Sequence, residues 1–262
     1  MRYLKFFILP LIILIITNEV YGFGKKETNS GPIKKLSKQF SNNSDLLQKR
    51  SKKTEWYPKI DFSKLKSTKG FFFIEGLKGY QQSTEYTCGP AVLLSLAKYY
   101  KIQGIEENKK TEMKIAEEAG TLSLEDALKM EKRAGTELDK MVKWLNSHGF
   151  KAKIEFEDKG DGSGFKKLQE NIEKGIPTIV EWANLMGHWV IVVGIDTRGP
   201  KHPWDDVIIF ADPYDKYDGK EDGYSYINAS VFYWLWYDDA SLFEKAPHKI
   251  MWRPMITAIP VK

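Results

Sequence analysis

The stretch QQSTEYTCGPAVLLSLAKYY, residues 81–100, holds the only cysteine of the 262-residue chain. Cys88 stands where a helix begins. Pro90 suits the first turn, where a missing N–H costs nothing. Val92, Leu93, Leu96 and Ala97 then recur at helical spacing, and Tyr99 and Tyr100 close the face. A helix N-terminus favours negative charge through its unpaired N–H groups and its dipole. Cys88 is therefore either a small core hydrophobe or a nucleophile. Gly89, next in sequence, reads as a point where a substrate can approach the backbone.

Outward from this helix the chain reads as helices first and strands afterwards. GFFFIEGL (70–77) is a short strand ahead of the cysteine. Residues 105–120 and 122–133 are charged amphipathic helices. GTELDKMVKWLNSHGF (135–150) is a helix capped by Thr136, running through Asn146 and ending at the HG pair. KAKIEFE is a strand, GDGSG (160–164) a turn, and 165–174 a helix closed by Gly175. Then the period changes. IPTIVEW (176–182), HWVIVVGID (188–196), DVIIFADPY (206–214) and PMITAIPV (254–261) are strand signals separated by turn residues. SVFYWLWYDD is aromatic-dense, and its periodicity fits helix and strand equally. The order argues for an α+β fold, with N-terminal helices packed on an antiparallel sheet.

A cysteine nucleophile needs a histidine to share its proton and a group that orients the histidine. The chain has four histidines. His148 sits in a helix-ending SHG turn and reads as a helix cap. His202 and His248 lie in polar loops. His188 follows a glycine and opens a strongly apolar strand, where a side chain can face a cleft while the strand fixes it. Asp212 closes the next apolar strand. If the two strands pair as an antiparallel hairpin through residues 197–205, those two ends lie together. A carboxylate there fixes the imidazole tautomer. Gln82, six residues before Cys88, can donate an amide hydrogen to a developing oxyanion. Gln81 competes for that role.

Gln82, the Cys88-Gly89-Pro90 run, Gly187-His188-Trp189 and Ala211-Asp212-Pro213 together resemble the papain-like cysteine peptidases of the bacteriocin double-glycine leader type. The likeness is to their free-standing members and covers roughly residues 74–260. It implies a papain-like α+β fold, a Cys–His–Asp triad on Cys88, His188 and Asp212, and Gln82 as oxyanion donor. Transporter-fused members carry Asp before the cysteine, where this chain has Thr87. No stretch resembles a transporter or an ATPase. The function implied is a thiol hydrolase that cleaves a peptide or protein substrate. An acyltransferase or deamidase would use the same residues, and a non-catalytic envelope-binding module would keep the fold without the chemistry.

The first residues read as targeting. Arg2 and Lys5 precede an eleven-residue apolar run, residues 6–16, followed by Val20 and Gly22. The run is short of the ~20 residues a membrane span needs, so residues 1–22 read as a secretory signal peptide, with an uncleaved N-terminal anchor as the alternative. The expected destination is the periplasm, the cell envelope or the medium. A lone thiol in such a compartment suggests intermolecular pairing or a free reactive thiol. Residues 23–55 read as a basic linker or pro-like segment, and 56–262 as the peptidase-like domain. The net charge of +5 is uneven, with +9 over residues 24–69 and −5 from residue 70 onward. The basic segment can contact anionic surfaces weakly. The slightly acidic domain argues against a nucleic-acid partner. The Asp/Gly-rich stretches 157–164 and 212–224 do not match a calcium-loop spacing and read as solvated turns. No metal or other cofactor is expected.

Overall fold

Strand β4 (His188–Asp196) is the axis of the fold, and residues 188–195 along it are all buried. Successive side chains of a strand point to opposite faces, so a strand buried at every position is covered on both sides. This explains why its sequence is a continuous apolar run. A computed structural model describes residues 60–157, 160–197, 205–216, 220–239 and 250–261. The chain divides into Met1–Pro58 and Lys59–Lys262, and all described residues belong to the second unit. The signal segment, the basic linker, His202 and His248 lie outside the described residues.

Around β4 the sheet runs β2 (Phe150–Glu155), β9 (Met255–Pro260), β3 (Thr178–Trp182), β4, β5 (Val207–Ala211), β6 (Tyr224–Asn228). Every pairing is antiparallel. On one flank of β4, β3 covers residues 188–192, and β1 (Phe71–Phe73) continues along residues 194–196. On the other flank Ile191 pairs with Ala211 and Asp196 with Val207. The expected hairpin is therefore formed, and His188 and Asp212 lie at the same end of it. A second sheet has two strands, β7 (Tyr237–Asp239) and β8 (Ile250–Trp252).

Helix α1 (Cys88–Tyr99) packs against β4 and against two further helices, α2 (Lys109–Glu118) and α4 (Leu138–Ser147). The sequence marks one apolar face, but residues 88–97 are buried all round. Ser95 shows how a polar residue fits there. Its hydroxyl donates to the Ala91 carbonyl at 2.8 Å and accepts from the Tyr80 amide at 2.8 Å.

Several elements differ from expectation, each for a local reason. Asn108 caps α2 by accepting from the Thr111 amide, so that helix starts at Lys109 rather than 105. Ser123 caps α3 (Leu124–Met130), and Glu131, left-handed at φ 52°, ends it. Thr136 does not cap α4: it is buried with its hydroxyl 2.8 Å from that of Thr121, and Glu137 takes the cap position. Helix α5 (Ser163–Glu173) begins inside the expected 160–164 turn. Glu157 organises that start by accepting from the amides of Gly162 and Gly164. The aromatic stretch 230–239 is both helix and strand, with α6 (Ala229–Leu235) followed by β7. The described residues of the 212–224 stretch are not solvated throughout, since Asp212, Asp215 and Gly223 are buried. Asp215 is fully buried and accepts from the amides of Asp222, Gly223 and Tyr224, which turns the chain into β6.

Candidate active site

Cys88 is the first residue of α1 and is 6% exposed. The N-cap residue Thr87 makes no side-chain bond to the helix, because its hydroxyl is turned to Thr84. The start of α1 is thus left without a side-chain cap at the thiol. The loop before it is strapped to the segment carrying Asp212. The Gln82 amide donates to the Pro213 carbonyl at 2.9 Å, and the Gly79 amide to the Gly223 carbonyl at 2.8 Å. A side chain at Gly79 would overlap the backbone of Asp212, so this close approach requires glycine. Ser83 binds Glu112 of α2 through its amide, at 2.9 Å, and through its hydroxyl.

His188 opens β4 and pairs across the sheet with Trp182. Its Nε2 lies 2.8 Å from Oδ1 of Asp212, and the two side chains are 2% and 0% exposed. A carboxylate oxygen only accepts, so Nε2 carries the hydrogen. Cys88 is the other group that acts on the charge of this ring, and with Nε2 held by Asp212 the nitrogen left for the thiol is Nδ1. Burial alone would push His188 down. The bond to Asp212 and the influence of Cys88 outweigh it and raise the imidazole to about 9. Burial would push Asp212 up, but the His188 bond, the Ser225 hydroxyl and the Tyr214 amide hold it below the ordinary carboxylate range. Ser225 donates to Oδ2 at 2.6 Å, and the Tyr214 amide to Oδ1 at 2.8 Å. The line Cys88–His188–Asp212 can hold a proton on the ring between a thiolate and a carboxylate.

The two glutamines are distinguished by their partners. Gln81 Nε2 reaches the Asp212 carbonyl at 3.4 Å. Gln82 Nε2 donates to the Thr84 carbonyl at 2.7 Å, so one of its two N–H groups is committed to the loop. Gly89 is not open to a substrate as expected. Thr136 fills the space a side chain would take there, which locks the start of α1 to the loop before α4. A cavity of about 260 Å³ has Cys88, Thr136, Gly187 and Trp189 on its wall. The Trp189 indole donates to the Thr136 carbonyl at 3.0 Å and holds that wall in place. His148 is a helix cap, as its turn implies, with Nδ1 2.8 Å from the Trp144 carbonyl and its ring stacked on Trp144.

A family model described as the Peptidase_C39 like family matches residues 74–240. The chain belongs to that family. Its fold, with the cysteine helix packed on an antiparallel sheet that carries histidine and aspartate, is the papain-like α+β fold. Among solved structures, it is similar to the peptidase domain of Streptococcus ComA, a bi-functional ABC transporter involved in quorum sensing. The identity is 19% over 70% of this chain and 98% of that one, with a TM-score of 0.44. It is also similar to a double glycine motif protease from an AMS/PCAT transporter in complex with the leader peptide. Here the identity is 15% over 72% and 95% of the two chains, with a TM-score of 0.42. The Streptococcus mutans ComA peptidase domain gives 17% over 70% and 99%, with a TM-score of 0.35. A search of curated proteins finds no match.

In this C39-like chain the unanticipated site residue is Ser225 on β6. The alternation in YSYIN is a strand signal, but it follows the acidic turn that the sequence alone renders as solvent-facing. The second unanticipated feature is charge. Arg133 bonds Asp238 through Nη1 and Glu181 through Nη2, and all three line the cavity beside Cys88.

Proposed function

We propose that the chain is a cysteine peptidase that cleaves a peptide substrate through an acyl-enzyme on Cys88. The observation that carries this reading is the buried His188–Asp212 hydrogen bond, with Cys88 acting on the same imidazole and lining a cavity. The Cys88 thiolate attacks the scissile carbonyl carbon and forms the S–C bond. Electrons move onto the carbonyl oxygen, where the Cys88 amide and the second N–H of Gln82 are the donors at hand. As the C–N bond breaks, His188 gives its proton to the leaving amine. Water then attacks the thioester, His188 takes a proton from it, and the thiol is released. Asp212 holds the ring with Nδ1 toward sulfur and stabilises the imidazolium.

Hydrolysis is favoured over acyl transfer and deamidation by membership of a peptidase family. A leader-peptide complex is described for the AMS/PCAT relative, and a peptide is the substrate class proposed for this chain. Residues 1–22 are read as a secretion signal and residues 23–55 as a linker. N-terminal sequencing of the mature protein from envelope and medium fractions tests both.

The deciding experiment incubates the full chain with a peptide library and reads products by mass spectrometry, with Cys88→Ala and His188→Ala as controls. Cleavage that is lost in both variants, with a Cys88-linked acyl adduct trapped at early times, supports the reading. Intact peptides, together with Cys88 alkylation unaffected by His188→Ala, overturn it.

A further inference from the structure

Five ionisable side chains share the cavity wall with Cys88: Arg133, Glu137, Asp139, Glu181 and Asp238. One guanidinium thus faces four carboxylates. Arg133 is already spent within the protein, since its two terminal nitrogens hold Asp238 and Glu181, which are 6% and 3% exposed. These three residues come from the segment after α3, from β7 and from β3, so the arrangement is built by distant parts of the chain. Glu137 and Asp139 lie exposed at the start of α4 and have no counter-ion on the cavity wall.

The charge balance bears on what the cavity accepts. Two buried carboxylates share one cation, and the desolvation of each is only partly offset. Burial pushes Glu181 up to about 8, with Arg133 pulling down and Asp238 pushing further up. A carboxyl held there keeps its proton at neutral pH, so Arg133 is balanced by Asp238 and the uncompensated negative charge on the wall belongs to Glu137 and Asp139. The cavity also offers apolar surface, with Trp189 on its wall. Long cationic side chains bury their methylene stems on such surface while their heads meet polar groups.

We propose that this cavity selects a lysine or arginine side chain of the peptide substrate, next to the bond that Cys88 attacks. The inference rests on the peptidase reading of Cys88. The cationic head meets the carboxylates of Glu137 and Asp139 at the wall. The stem lies along Trp189.

Two measurements on the full chain test this. In the first, Cys88 is modified by 2-(trimethylammonium)ethyl methanethiosulfonate and by 2-sulfonatoethyl methanethiosulfonate. Each rate is divided by that of free cysteine. The cationic reagent is expected to be favoured by about tenfold, and the preference to collapse in Glu137→Gln/Asp139→Asn. Both of those residues are exposed, so the double variant keeps its fold. In the second, peptide pairs differing only in Lys against Gln beside the scissile bond are compared, and kcat/KM is expected to favour Lys by about tenfold. Peptides cleaved with no preference, or with a preference for Gln, overturn the cation selection and leave the peptidase reading standing. A thiol with the cation preference but no cleavage of any peptide overturns the peptidase reading, and this inference with it.

Discussion

His188 Nε2 and Asp212 Oδ1 are 2.8 Å apart at the buried ends of two strands that pair antiparallel. The pairing makes a charge on the ring stable where burial would forbid it. His188 is raised from 6.5 to about 9, so its protonated form contributes stability in full below pH 6.5, and that contribution is lost as pH rises through 9. Asp212 is lowered, so its contribution is present above its ordinary 3.8 and is lost as pH falls below that. The pair therefore stabilises most between these limits. Asp212→Asn is expected to lower kcat by about 10²- to 10⁴-fold. Urea denaturation should show a stability gap from wild type that is widest near pH 5–6 and narrows by pH 9.5. A gap that grows with pH contradicts the assignment.

Ser225 positions Asp212 rather than touching the reacting atoms. Ser225→Ala leaves Oδ2 of a fully buried carboxylate without this donor, a change costing about 1–3 kcal/mol. The carboxyl then rises, and the acid limb of the kcat/KM profile should move to higher pH. Ser225→Thr keeps the hydroxyl and should restore the profile. A uniform loss of activity at every pH, unrelieved by threonine, would mean that Ser225 serves only packing.

Cys88→Ala removes a single sulfur from a site already walled by Thr136 and Trp189. Its effect on stability is expected to be within about 1 kcal/mol, because alanine is only slightly smaller than the buried thiol. Peptide cleavage should fall by more than about 10³-fold. Thermal melting and product analysis on the same preparation separate the two effects. A variant that retains cleavage places the chemistry elsewhere.

The parts legible in the sequence are those whose signal is local. Strand β4 shows itself because burial on both faces demands an unbroken apolar run, and His188 and Asp212 stand out as polar residues at the ends of such runs. The start of α1 is marked by Cys88, Gly89 and Pro90. What stayed hidden depends on contacts between distant segments. The acidity of residues 212–224 reads as solvation, whereas Asp215 is buried against the backbone amides of 222–224 and carries the chain into β6, where Ser225 meets Asp212. Arg133, Glu181 and Asp238 lie 48 and 57 positions apart in sequence, and none has a local pattern that announces the other two. Gly89 misleads for the same reason: its missing side chain accommodates Thr136, not a substrate.

Gln82 gives the sharpest separation of chemistry from structure. One amide hydrogen is held by the Thr84 carbonyl, and the proposed mechanism assigns the other to the oxygen of the attacked carbonyl. Removing an oxyanion donor costs about 10²- to 10³-fold in kcat. Alkylation of Cys88 by iodoacetamide displaces iodide and develops no oxyanion, so the same substitution should leave it nearly unchanged. Gln82→Ala is therefore expected to slow peptide hydrolysis by that factor, with KM and the alkylation rate close to wild type. Equal losses in both reactions would show that Gln82 acts by holding the 79–87 loop, and thereby Cys88, in place. That outcome would leave Gln81, which faces the Asp212 carbonyl at 3.4 Å, as the next donor to test.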